Sequence, residues 1–163
     1  MERTGVSGYL ARTILLSAAS GLRSSSAPAF LARAASRGDL SLPESPPLQT
    51  LRSPLAAALL AAALAGEMVV DKLPFVPDRI SPPALAGRMV SGTLAGSLLF
   101  REAGRRAWAG ALLGAAVAAA SAHAGYRLRG HATGRLGLPD LPVALAEDAA
   151  VLACGAAFLR QRG

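Results

Sequence analysis

Charge is scarce in this chain. Only 17% of its residues are charged, against about 25% in an ordinary soluble domain. Hydrophobic residues make up 52% and mean hydropathy is +0.39, so there is too little polar surface to cover a water-soluble fold of this size. Lysine is nearly absent: 16 of the 17 basic residues are arginine, and Lys72 stands alone. The arginines punctuate the ends of apolar runs rather than clustering with stacking aromatics, which excludes nucleic acid as a partner. A single cysteine, Cys154, rules out an internal disulfide. Aromatic and β-branched residues are few, which disfavours strands, whereas alanine, the strongest helix former, dominates the apolar fraction. Nucleophile-elbow, zinc-protease, P-loop and dinucleotide fingerprints are all missing, so no enzymatic activity is expected.

Long apolar runs are what the chain has instead. Four read as membrane spans: Pro54–Val70, Pro83–Phe100, Ala107–Tyr126 and Leu141–Leu159. The third has no formal charge over 20 residues, about what the hydrocarbon thickness requires. Pro54–Val70 would reach about 25 Å as a helix. Proline marks the first two connections, at Pro43, Pro46 and Pro47 and at Pro74, Pro77, Pro82 and Pro83; Arg101–Arg106 and Arg127–Asp140 form the others. The expectation is an all-α, polytopic membrane bundle in one domain over 1–163, with its core at about 9–159.

The N-terminal apolar stretch is interrupted by Gly21-Leu22-Arg23-Ser24-Ser25-Ser26-Ala27-Pro28. It reads as a fifth crossing, as a broken or re-entrant helix, or as a signal peptide cut at Ala27-x-Ala29. Counting arginine and lysine favours the second. A full crossing divides the basic residues eight against eight, whereas re-entry divides them ten against six, and the positive-inside rule then places both termini in the cytoplasm. Four spans plus a broken or re-entrant N-terminal helix is the fold expected, in a bacterial inner membrane, with the lipid bilayer as the main partner.

Either topology gathers the rare charges on one side. Glu67, Asp71 and Lys72 end the first span there; Arg88 begins the second; His123 and Arg127 close the third; Glu147 and Asp148 lie about 9–10 Å into the fourth. With Arg23 from the interruption, these residues are the expected polar or transport site. Charges inside a membrane face partners or a water-filled cavity, and pairs such as Glu67–Arg127 and Glu147–Arg88 would neutralise them. No dense ligand motif marks a metal site, and no cofactor is expected. Gly92-x3-Gly96 and Gly110-x3-Gly114 form smooth helix strips, suited to close packing within the bundle or to a homo-oligomer.

Gly21-Leu22-Arg23-Ser24…Pro28, Glu67-x3-Asp71-Lys72-Leu73-Pro74, His123-Ala124-x2-Arg127 and Ala146-Glu147-Asp148 together resemble a bacterial family of integral membrane proteins catalogued only as a domain of unknown function. The likeness covers roughly residues 13–155, and Ser25-Ser26 departs from it where bulkier apolar residues would be expected. It implies a multi-pass membrane protein and supplies no activity, substrate or cofactor. The function expected is a small transporter or channel for an ion or small polar solute. The alternative is a structural or assembly protein whose charges form packing ion pairs.

Overall fold

The computed structural model describes residues 6–72 and 80–161, and these residues form no strand. Arg3, Arg79 and Arg162, and the Leu73-Pro74 end of the acidic motif, lie outside them. Six helices of eleven residues or more build the fold: α1 (Val6–Leu22), α2 (Ser26–Ser36), α4 (Pro54–Val70), α5 (Pro82–Glu102), α6 (Ala107–Gly134) and α7 (Asp140–Arg160). A four-residue helix, α3 (Pro46–Gln49), and a 3-10 turn at Thr50–Arg52 lead into α4. Proline occupies the first turn of α4 and α5, where its missing N–H costs nothing. Gly38 and Gly104 take positive φ of 76° and 67° just past the ends of α2 and α5, the left-handed residue that closes a helix C-terminus.

The interrupted N-terminal stretch is a helical hairpin. Its tip, Arg23–Ser25, meets the C-terminal end of α4 and the middle of α7 through Asp71 and Asp148. Its two outer ends meet at Glu102, which accepts from Arg12 Nη1 at 3.0 Å and from the Ser41 N–H at 3.4 Å. So α1 runs inward and α2 runs back to the end where α1 began.

Helices α5 and α6 form the tightest seam. A Cβ on Gly96 would strike Gly110 O, and one on Gly92 would strike Gly114 O; the converse holds for Gly110 and Gly114. This small-residue strip is therefore consumed inside the chain, backbone against backbone. Helix α1 lies across both partners, with Gly21 against Ala118, Ser121 and Ala122. On α2, Phe30 packs on the bare backbone of Gly155 in α7.

The expected connection Arg127–Asp140 is shorter than its sequence suggests. α6 continues to Gly134, because Arg127–Gly134 contains no proline and Arg129 is held by Asp140 across the turn. Two helices, Ala107–Gly134 and Asp140–Arg160, are long and apolar enough to cross a membrane. Of the other two expected spans, Pro54–Val70 is apolar but only 17 residues long, and α5 carries buried Arg88 and Ser91 among its glycines. Length and apolarity alone thus support two spans rather than four.

Several polar side chains are buried beside the apolar core, and several large apolar ones are exposed. Arg12, Thr13, Ser17, Ser20, Arg23, Arg88, Ser91 and Asp148 are buried, while Leu55, Leu59, Val69, Val90, Leu112 and Leu128 are more than 60% exposed. Only Ala57 and Leu64 of α4 are buried.

The glycine seam yields a direct test. Gly96→Ala should destabilise the purified protein by about 1–3 kcal/mol through overpacking. Gly66→Ala and Gly87→Ala, where an added Cβ meets nothing within 4 Å, should be neutral or stabilise by about 0.5–1 kcal/mol. Thermal unfolding in detergent distinguishes them, and equal effects at all three positions would refute the close seam.

A charged cluster at the helix break

Breaking a helix leaves carbonyls without partners on one side and amides without partners on the other. Here two side chains of opposite sign supply them. Arg88 Nη1, from α5, donates to Gly21 O and Leu22 O, both at 3.0 Å, at the C-terminal end of α1. Glu67, from α4, accepts from the Ser24 and Ser25 N–H groups at 2.8 and 2.9 Å, and from both serine hydroxyls. A cation on helix carbonyls and a carboxylate on helix amides each match the sign of the local dipole.

Between these caps, Arg23 is fully buried. Its Nε and Nη2 donate to Asp148 Oδ1 at 3.0 and 2.7 Å, and its Nη1 donates to Asp71 and to Leu22 O. Lys72 completes the set, donating to Asp148 Oδ2 and to Met68 O. Glu67 and Asp71 are one turn apart at the end of α4, which aims both at the hairpin tip. Among the described residues, Arg23, Lys72 and Arg88 thus stand against Glu67, Asp71 and Asp148, three cations and three carboxylates.

Six of the nine expected site residues therefore come together: Arg23, Glu67, Asp71, Lys72, Arg88 and Asp148. The other three do not. His123 and Arg127 are exposed on α6. The buried face of that helix runs through Gly110, Gly114, Ala118, Ala122 and Gly125, and position 123 is turned about 100° from 122. Glu147 points away from Asp148 toward Arg129 Nη1 at 3.5 Å, beside the Arg129–Asp140 pair. The anticipated pairs Glu67–Arg127 and Glu147–Arg88 are replaced by Glu67 on the Ser24 and Ser25 amides, Arg88 on carbonyls and Glu147 on Arg129.

Ser24 and Ser25 are site residues that the charge pattern did not single out. Their signal was present: serines directly before Ala-Pro are helix-start chemistry, and a helix start inside an apolar bundle needs acceptors for its open amides. The Arg12–Glu102 pair at the opposite end of α1 was likewise missed, although Glu102 was the acid standing among arginines there.

A cleft of about 430 Å³ opens beside the break, lined by Ser24, Ser25, Glu67, Asp71, Ser81 and Arg88 together with Ala63, Val70, Pro83 and Ala84. From the tip, one face of α1 continues as a row of buried hydroxyls, Ser20, Ser17 and Thr13. Ser91 Oγ donates to Ser20 Oγ at 3.2 Å, and the row ends at Arg12, whose guanidinium lies 5.1 Å from the Phe158 ring centre. Among the described residues, no group of three or more His, Cys, Asp or Glu side chains is placed to hold a metal ion.

The cluster is coupled. Arg23→Met removes the buried cation that Asp71 and the buried Asp148 share, and should cost about 3–5 kcal/mol. Adding Asp148→Asn to that background should cost less than the sum of the single effects, by about 0.5–3 kcal/mol. Arg127→Gln should stay within about 0.5 kcal/mol of the parent. Chemical denaturation in detergent measures all three; strict additivity would show that the cluster does not act as a unit.

Residues 10–159 match the family described as a domain of unknown function, DUF4126. No curated protein and no solved structure matches the chain. With the match spanning nearly its whole length, the chain belongs to the DUF4126 family.

Proposed function

We propose that this protein is a small multi-pass protein of a bacterial cell membrane that passes an ion or small polar solute through the break of its N-terminal hairpin. In this reading α4, α5, α6 and α7 cross the bilayer, and α1 and α2 enter it from the cytoplasmic side and return. The exposed leucines and valines of α4 to α7 face lipid, which suits a fold with its polar groups inside. The ten-against-six division of basic residues supports that orientation.

The observation that carries the transport reading is the cleft at the break. Its lining brings together a carboxylate, a guanidinium and two hydroxyls, at a point where backbone polar groups of both half-helices converge. Discontinuous helices serve membrane transport sites for this reason: their ends offer partial charges that an unbroken helix lacks. A chain required only to span and pack would do so at lower cost with a continuous apolar helix, because burying charges is expensive even when they are paired. The hydroxyl row on α1 extends the polar path from the cleft toward the Arg12–Glu102 end.

A second reading rests on the balance of three cations against three carboxylates. Saturated pairs of this kind can lock helix register without moving anything, and the protein would then serve structure or assembly.

Solvent access separates the two. In a Cys154→Ala background, Ala63→Cys and Ala84→Cys on the cleft wall should react with a membrane-impermeant maleimide added from the side opposite the termini. Leu112→Cys, facing lipid, should not react. In proteoliposomes assayed for proton, sodium, potassium and phosphate movement, Glu67→Gln should reduce any protein-dependent flux at least tenfold, while Glu147→Gln leaves it within twofold. An unlabelled cleft wall, together with flux that Glu67→Gln does not alter, would leave the structural reading in its place.

A further inference from the structure

The returning helix α2 creates a second concave surface, on the outside of the bundle. α4 and α7 flank α2, and between them runs a groove of about 550 Å³. Phe30 forms part of its floor, Ala58, Ala61 and Leu64 line its α4 wall, and Leu152 lines its α7 wall. Its lining is apolar except at one end, where Arg33 is, among the described residues, the single ionisable one. Arg33 is exposed, and among the described residues its guanidinium has no hydrogen bond or ion pair.

We propose that this groove holds one acyl chain of an anionic phospholipid, with the lipid phosphate on Arg33. The inference rests on the membrane reading given above and names a lipid partner for a surface that the transport site does not use.

Dimensions and charge both point this way. The groove follows α4 from Pro54 to Met68, about 21 Å at 1.5 Å per residue, which exceeds the roughly 15 Å of hydrocarbon in one leaflet. An acyl chain laid along it from the Arg33 end stays within protein over its whole leaflet depth. The Arg33 end is the end of the molecule where α1 starts and α7 finishes, and it is the arginine-rich one: Arg37, Arg52, Arg101, Arg105, Arg106 and Arg160 belong to it. Among the described residues, no acidic side chain lines the groove to neutralise Arg33 from within. Basic residues at the mouth of an apolar gap between membrane helices suit an anionic headgroup on the cytoplasmic side. Small side chains at Ala58 and Ala61 keep the gap open, and a continuous full-length helix in place of the short α2 would close it.

The test is native mass spectrometry of the full chain in mild detergent with added phosphatidylglycerol or phosphatidylcholine. The parent should retain one phosphatidylglycerol per chain and hold it in preference to phosphatidylcholine. Arg33→Gln should weaken that retention about fivefold, the equivalent of one lipid-facing cation, and abolish the preference. Ala61→Phe, which fills the groove without touching the charge, should displace both lipids; circular dichroism checks that each variant keeps its helices. Equal retention of the two lipids by the parent, retention unchanged in either variant, or a second copy of the chain found covering the groove would overturn the proposal. Vesicle flotation keeps the two readings apart. A chain that floats with vesicles but shows no Arg33 effect overturns the lipid site alone, whereas one that floats with no vesicle of either lipid overturns the membrane reading beneath it.

Discussion

The fold depends on how a severed helix has its backbone satisfied. At Arg23–Ser25 the chain stops being helical among packed helices, so the freed carbonyls and amides take protein partners. Arg88 and Glu67 meet that demand from two different helices. Their positions set the axial level of α5 and α4 against the hairpin. Arg23, placed between the capped ends, then sets the level of α7 through Asp148. One local defect in a helix thus fixes the register of three others.

The glycine seam serves the same end. α5 and α6 approach until their backbones touch, and that closeness leaves room for α1 to lie in the groove they share. Gly21 must sit flat against α6 for Leu22 O to come within reach of Arg88. Small residues and charged residues are therefore one device here. The former bring backbone close to backbone, and the latter supply the hydrogen bonds that the broken backbone lacks.

Much of this was legible in the amino-acid sequence because charges in an apolar chain are conspicuous. Helix class, the break at Gly21–Pro28 and six of the cluster residues follow from counting and topology. Partner choice did not follow, because it depends on helix rotation. The spacing of His123 and Arg127 says that they share a face, but alanine on every side of α6 hides which face is buried. Glu147 and Asp148 posed the same problem, and sequence spacing said only that one of the two could point inward. Ser24 and Ser25 were hidden for another reason: serine at a break is ordinary local chemistry, and only the approach of Glu67 makes it part of a site. The reach of α6 past Tyr126 was masked by polar residues that are as compatible with helix as with loop.

The charged cluster also has an order in time. Arg23 and Asp148 are 125 residues apart in the chain. At a synthesis rate of about 5–20 residues per second, the hairpin tip is made on the order of ten seconds before its last partner. Until α7 emerges, Arg23 has only Asp71 to lean on, and until α5 emerges the carbonyls of Gly21 and Leu22 are uncovered. The hairpin therefore cannot complete its ion pairs before α7 has been made. It stays incompletely paired until then, so that a segment made before α4, α5 and α7 is locked only after all three.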